Sequence, residues 1–345
     1  MMPSVRPQEQ LLLETIDSLP GGRLLCNTAG RAQFAAAYAQ KHPAVGVACW
    51  LLDLYQQEQA RLTHQPFPQN LQLHCTPDPP EEPFEVVAWA FGRQGDGELV
   101  RETLQIGHER LTPGGQMIVA IDYPRDQWIY EQMQRMFAKV SRRQTEQGAV
   151  YRATKVTALR KRKNYAAEFA FRDGERLVQL RTRPGVFSHR ELDGGARALL
   201  KSLRLEPGRR VLDIGCGSGA VGVAAALRAA AGKVWAMDSN PRAIEATAWA
   251  KERNGVLDLE VLLDANGVGV GVGSVDVAVA NPPYYSDFRI ARLFVQIAAR
   301  ALVPGGSLLV VTKSADWYLR SLGPAFAEAT QMQVGNYQVV FANKA

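Results

Sequence analysis

Asn281-Pro282-Pro283-Tyr284 is a stretch able to grip a planar –NH₂ group. Asn281 brings a side-chain carbonyl, an acceptor for an N–H. A residue that precedes proline is held extended, and two successive prolines stiffen the turn while donating no backbone N–H. The carbonyls there, that of Pro282 included, are left facing the site as acceptors. Tyr284 adds a flat face on which a base can stack. By itself Asn-Pro starts many ordinary turns. Here it follows the apolar strand expected over 275–280, and the carboxyl ends of such strands are where α/β sheets place ligands.

Upstream lies Asp213-Ile214-Gly215-Cys216-Gly217-Ser218-Gly219. A strand over 209–214 leads into it and an alanine-rich helix over 220–231 leaves it. Gly215, Gly217 and Gly219 suit a tight turn whose main chain a ligand approaches closely, and strand before with helix after is the context such a turn needs. The next strand, from Lys233, ends in Asp238. That is 23 residues after Gly215 (238 − 215), near the spacing of about 20 for an acid that binds ribose hydroxyls. Asp238 also suits a helix N-cap ahead of Asn240-Pro241. A third strand, 259–263, ends in Asp264. In this kind of fold that position usually reads an adenine amino group, and a plain loop acid is the competing reading. A dinucleotide would put a pyrophosphate at the helix start and leave Asn281-Pro282-Pro283-Tyr284 without a role. S-adenosylmethionine has no phosphate. The two motifs together specify methyl transfer from S-adenosylmethionine to a planar amine or amide nitrogen.

These residues resemble the class I methyltransferases, and within them the two-domain ribosomal-RNA guanine-N2 methyltransferases. Asp213 to Gly219 and Asn281 to Tyr284 carry part of the likeness. The most specific part is Pro184-Gly185-Val186-Phe187-Ser188, followed by Leu192-Asp193-Gly194-Gly195 and a helix over 196–203. The family often has phenylalanine where this chain has Tyr284, and histidine where it has Tyr285. The likeness covers roughly 184–345. It implies that Asn281, Pro282 and Tyr284 hold the target base, and that Phe187, Asp213, Gly215, Gly217, Gly219, Asp238 and Asp264 hold the cofactor. It also implies guanine N2 of ribosomal RNA as the methyl acceptor, with ribosomal RNA or a ribosomal subunit as partner.

The chain has 345 residues, 46% hydrophobic and 21% charged, so it is globular and long enough for two domains. No apolar run is long enough to span a bilayer, and residues 1–10 lack the apolar core of a signal peptide. Cys26, Cys49, Cys75 and Cys216 show no pairing pattern, and no metal spacing is visible among histidines and cysteines. Reduced cysteines in the cytoplasm fit best. The net charge is +6. The basic run Arg160-Lys161-Arg162-Lys163 is either a solvated arm or a track for RNA phosphates.

The first half reads as a worn copy of the second. Leu111-Thr112-Pro113-Gly114-Gly115 parallels Leu302-Val303-Pro304-Gly305-Gly306 at an offset of 191 (302 − 111). The same offset sets Phe84-Glu85-Val86-Val87 against Val275-Asp276-Val277-Ala278. At an offset of 187, Gly217 meets Gly30, but Gly215 and Gly219 meet Thr28 and Ala32. Asn281 to Tyr284 falls on Ala90-Phe91-Gly92-Arg93. A repeat of a domain's length indicates duplication. The expected architecture is α/β, with two tandem Rossmann-like domains. Residues 1–150 form a degenerate methyltransferase-like domain, 151–183 a basic connecting segment, and 184–345 the catalytic domain. Adenine-N6 or protein-glutamine amide methylation is the nearest rival activity, since each presents the same sp² –NH₂. A non-enzymatic RNA-binding or ribosome-assembly factor is the rival of another class, and fold alone does not separate these.

Overall fold

A computed structural model describes residues 5–229, 232–283 and 288–345. The chain divides into two units, one ending at Tyr165 and the other beginning at Ala166.

In the first unit, α1 (Pro7–Leu13) precedes β1 (Leu24–Asn27), α2 (Gln33–Lys41), β2 (Val47–Leu51), α3 (Leu54–Thr63) and β3 (Leu71–Cys75). Then come β4 (Phe84–Phe91), α4 (Gly97–Arg110), β5 (Leu111–Ile121), α5 (Trp128–Gln134), β6 (Val140–Gln144) and β7 (Ala149–Thr154). The strand order is β3-β2-β1-β4-β5-β7-β6. β1 to β5 pair in parallel, and β7 runs antiparallel to both β5 and β6. A strand covered on both faces needs a nearly continuous apolar run. β4 meets this with Phe-Glu-Val-Val-Ala-Trp-Ala-Phe, of which only Glu85 is not buried.

The second unit opens with a hairpin, β8 (Ala167–Asp173) and β9 (Arg176–Thr182), which forms its own two-stranded sheet. After α6 (Gly194–Ser202), β10 (Val211–Ile214), α7 (Ala220–Ala229) and β11 (Val234–Asp238) come α8 (Pro241–Arg253) and β12 (Leu259–Leu263). β13 (Val275–Ala280), α9 (Arg289–Ala301), β14 (Leu302–Thr312), α10 (Ala315–Ser321), β15 (Phe326–Val334) and β16 (Tyr337–Lys344) complete it. Its sheet is ordered β12-β11-β10-β13-β14-β16-β15. Subtracting nine from each strand number reproduces the order of the first sheet, so both units have one Rossmann-like topology.

The duplication reaches finer detail. The register between β4 and β5 shifts between Phe84 and Val86, and that between β13 and β14 shifts between Val275 and Val277. The two irregularities stand 191 residues apart (275 − 84). Gly219 has φ +80°, and Ala32, its counterpart, keeps the left-handed backbone at φ +58° without being glycine. Such a conformation costs an alanine roughly 1–2 kcal/mol. The loop conformation has thus outlasted the residue that suits it.

The chain's own carboxylate occupies the first unit's loop. Glu9 of α1, 1% exposed, accepts from Thr28 Oγ1 at 2.9 and 3.0 Å and from the Phe34 N–H at 3.2 Å. It supplies an acceptor to the first turn of α2, and its burial pushes its pKa up against the lowering effect of the Thr28 bond. The segment expected as a connector, 151–183, is divided. Val150 to Thr154 belong to β7, because Val150, Tyr151 and Ala153 are buried in the first core. β8 and β9 belong to the second unit, where Phe171, Val178 and Leu180 join its core and β9 lies against α8 and α7. Among the described residues no helix is long and apolar enough to cross a membrane.

Candidate active site

The glycine turn leaves β10 with positive φ at Gly215 (+75°), Gly217 (+54°) and Gly219 (+80°), the region glycine enters without a Cβ penalty. Two of these glycines are also fixed by packing. A Cβ on Gly215 would lie 2.8 Å from Phe294 of α9, and one on Gly219 would lie 2.8 Å from Thr247 of α8. Gly217 faces the more open side, with Phe187 as its nearest neighbour at 3.9 Å. Phe187 is 57% exposed, a bare ring beside the turn.

Asp238 ends β11 and ties the turn to α8. Its Oδ2 accepts from the Gly217 N–H and its Oδ1 from the Asn240 N–H, both at 2.9 Å. The N-cap of α8 is Asn240, which accepts from the Arg242 N–H. Asp238 therefore fixes the turn at the carboxyl end of β11. Asp264 spends more of its capacity on its own loop. It accepts from the N–H groups of Asn266, Gly267 and Gly269 at 2.7–2.8 Å. A carboxylate offers about four acceptor directions, so one is left.

Asp213 is buried beneath the turn, 3% exposed, and its Oδ2 has no hydrogen-bond partner. Burial pushes its pKa up to about 7. The Gly222 backbone N–H opposes this, and the nearby Asp238 charge adds to it. Between its ordinary value of 3.8 and about 7, the folded unit holds this proton while the unfolded chain has released it. Stability of the ligand-free second unit should therefore fall as pH rises through that window. Asp213→Asn should raise the thermal midpoint relative to the parent at pH 8 and change it little at pH 4. Calorimetric scans check this, and equal effects at both pH values would contradict it. Cys216 is buried and its thiol is pushed well above its ordinary value by burial, so it stays protonated and is no nucleophile.

The lead-in segment folds onto these elements. Arg242, fully buried, donates to the Pro184 carbonyl at 2.7 Å, and Asn240 Nδ2 donates to the Gly185 carbonyl at 2.7 Å. Ser188 (φ +55°) and Arg190 (φ +84°) hold left-handed backbone next to the site, a conformation uncommon for any residue but glycine.

Asn281 follows β13 directly, and β13 pairs with β10, with Ala280 beside Ile214. The two motifs thus stand side by side at the carboxyl ends of adjacent central strands. Asn281 Nδ2 donates to Asp193 Oδ2 at 2.8 Å. A carboxylate only accepts, so this bond fixes which end of the amide is oxygen. Asp193 Oδ2 also caps α6 by accepting from the Ala196 N–H at 3.0 Å. Gly195 completes the arrangement, since a Cβ there would lie 2.7 Å from Asn281 Oδ1 and 2.8 Å from Asp193 Oδ2. Pro282 is buried and Pro283 half-buried. Tyr284 lies outside the described residues.

Asp193→Ser separates the two jobs of this carboxylate. Serine keeps the cap but is too short for the bond to Asn281. We expect a loss of about 10–100-fold in kcat for methyl transfer, the scale set by misplacing a reacting group, with KM and thermal midpoint near those of the parent. Asp193→Asn, which retains an acceptor oxygen, should recover most of the rate. Steady-state kinetics decide, and a fully active Asp193→Ser would remove the positioning role.

The basic run does not act as a block. Arg162 turns to Glu109 of α4, with N and O 3.3 Å apart. Arg160, Lys161 and Lys163 are exposed, and Lys163 Nζ stands 4.8 Å from the Tyr165 ring centroid.

Residues 177–341 match the family model described as the methyltransferase small domain. The match runs through most of the second unit. The chain is 38% identical over 155 residues to a ribosomal RNA small subunit methyltransferase C of Hahella chejuensis, an alignment that covers 43% of this chain and 45% of the relative. It is 37% identical over 160 residues to a protein of the same name from Pseudomonas aeruginosa strain LESB58, covering 44% and 47%. The chain spans about half the length of the curated relatives it matches. The likeness in fold extends further than the likeness in sequence. The 16S rRNA N2 G1207 methyltransferase of T. thermophilus, solved with AdoMet and guanosine, superposes with a TM-score of 0.83 at 20% identity, over 98% of this chain and 92% of that one. The resemblance to ribosomal-RNA methyltransferases thus holds in sequence over part of the chain, and in fold the likeness to a guanine-N2 enzyme covers nearly all of it.

Proposed function

We propose that this protein transfers a methyl group from S-adenosylmethionine to guanine N2 of small-subunit ribosomal RNA. The observation that carries the proposal is the pairing of β10 with β13, which sets the glycine turn beside Asn281. The residues fit the cofactor. Asp238 stands at the end of β11 against the glycine turn, where a carboxylate would meet the ribose hydroxyls, Asp264 keeps one acceptor direction for the adenine end, and Phe187 offers an exposed ring beside Gly217. The buried, unpartnered Asp213 oxygen lacks a donor or cation, and an α-ammonium is one. When bound, S-adenosylmethionine supplies an electrophilic methyl on a sulfonium centre.

The exocyclic amine of guanine is a poor nucleophile because its lone pair is delocalised into the ring. This chain's contribution is then alignment and electrostatics. Asn281 Oδ1 and the Pro282 carbonyl accept the two amine N–H groups, and they favour the positive charge that grows on nitrogen as it attacks. Asp193 holds the Asn281 amide so that its oxygen, not its nitrogen, is available. The proton leaves late, to water. The base must leave its stack to reach these acceptors. The stacking role of Tyr284 rests on its place in the sequence.

The relatives' names favour ribosomal RNA, and the guanosine in the T. thermophilus structure favours guanine over adenine. The test supplies purified protein with methyl-labelled S-adenosylmethionine and small ribosomal subunits or their RNA, followed by nucleoside digestion. N2-methylguanosine is the expected labelled product. Label in N6-methyladenosine, or only in protein, would overturn the proposal.

A further inference from the structure

A second site lies in the first unit, apart from the residues that act on the methyl group. Between α4, the end of α5 and the segment around residue 160 runs a cleft of about 530 Å³. Arg101, Arg135, Arg160, Lys161 and Lys163 line it, and no acidic side chain does. Among the described residues none of these five cations forms an ion pair. The acids nearest in charge, Glu98 and Glu102, act on Tyr165 at the base of the cleft.

The cleft is built rather than formed by a loose arm. Gln105, 9% exposed, clamps the basic segment with both ends of its amide. Its Nε2 donates to the Lys163 carbonyl at 3.1 Å and its Oε1 accepts from the Lys163 N–H at 3.0 Å. Arg101 is braced twice. Its Nε donates to the buried Gln132 Oε1 at 3.3 Å, and its guanidinium lies 5.0 Å from the centre of the Trp128 ring. That bond uses Nε alone, and a guanidinium braced in this way in the cleft lining offers its terminal N–H groups as a fork suited to an anion. Arg162 is drawn out of the group by Glu109.

Five like charges held together with no acidic side chain in the lining raise the potential of the cleft and concentrate anions there. They are spread over three elements, so one small anion would use only part of them. We infer that this cleft binds the phosphodiester backbone of RNA and holds the substrate on the first unit. The inference rests on the proposed substrate being RNA and is independent of the methyl-transfer residues.

The test is a filter-binding titration with a small-subunit ribosomal RNA fragment at several salt concentrations. It compares the parent with the triple variant Arg101→Gln, Arg135→Gln, Lys161→Gln and with the single variant Arg162→Gln. Each lost phosphate contact lowers the log–log salt slope by about 0.7–0.9, so the triple variant should lose about 2. Arg162→Gln should keep the parent slope, and circular dichroism should show every variant folded. An unchanged slope in the triple variant overturns the inference, as does an equal fall per charge in Arg162→Gln. So does unchanged RNA affinity with lost affinity for polyglutamate, which would mark a site for an acidic polypeptide. A parent that methylates ribosomal RNA while the triple variant keeps its slope overturns the cleft and leaves the proposed reaction standing. A parent that binds RNA through the cleft but transfers no methyl group does the reverse.

Discussion

Asn281→Ala should lower kcat for methyl transfer by roughly 10²–10³-fold, the usual cost of one well-placed polar group facing developing charge. Affinity for S-adenosylmethionine should stay within a few-fold of the parent. The expectation follows from where Asn281 stands. Its nitrogen is committed to Asp193 and its oxygen lies over Gly195, where there is no Cβ. Among the described residues its side-chain hydrogen bond runs to Asp193 and not to the glycine turn. Alanine would remove the acceptor and leave Asp193 capping α6, so the fold should hold. Asn281→Asp is the sharper companion. It keeps an oxygen but sets a second carboxylate against Asp193, and like charges at that distance repel. Its rate should fall at least as far as that of the alanine variant. Single-turnover kinetics with labelled cofactor separate the chemical step from binding. A turnover within a few-fold of the parent would remove Asn281 from the reaction.

Asp238→Ala should weaken S-adenosylmethionine binding by about 1.5–3 kcal/mol, the range for hydrogen bonds to a charged group, or roughly 10- to 150-fold in Kd. The carboxylate has two tasks. It accepts from the Gly217 and Asn240 N–H groups, so it shapes the turn before any ligand arrives, and in the proposed reading it also receives the ribose hydroxyls. Alanine loses both. Asp238→Asn keeps one acceptor oxygen but replaces the other with a donor that faces a backbone N–H, so it too should bind weakly. Isothermal calorimetry measures both variants. Parent stoichiometry should be one cofactor per chain, because Glu9 already fills the corresponding turn of the first unit. A stoichiometry of two, or an Asp238→Ala variant with parent affinity, would contradict this account of the cofactor half.

The residues that sequence places well are those set by local pattern at strand ends. Gly215, Asp238 and Asn281 each follow an apolar run that had to be a strand, and parallel pairing brings such ends together. The repeat was legible for the same reason, and the structure extends it to a matched register shift and a matched left-handed residue. What sequence left unread depends on contacts between distant segments. Asp193 and Asn281 are 88 residues apart, and no local pattern ties the carboxylate to the amide. Arg242 reads as one more helix cation, yet it is buried and holds the Pro184 carbonyl. Residues 167–182 alternate in burial as strands do, but a strand pattern does not say which core receives Phe171 and Val178. The basic run looked uniform because the position of Glu109 relative to Arg162 is a tertiary fact. Arg101 and Arg135 joined the cleft from helices whose sequence gave no reason to group them with residue 160.

The most direct test of the central claim is nucleoside mass spectrometry of small-subunit ribosomal RNA from cells that lack this protein. One N2-methylguanosine should disappear from the digest. It should return when the parent chain is supplied and stay absent when Asn281→Ala is supplied at the same level. An unchanged N2-methylguanosine content in the deletion strain, or full restoration by Asn281→Ala, would contradict it.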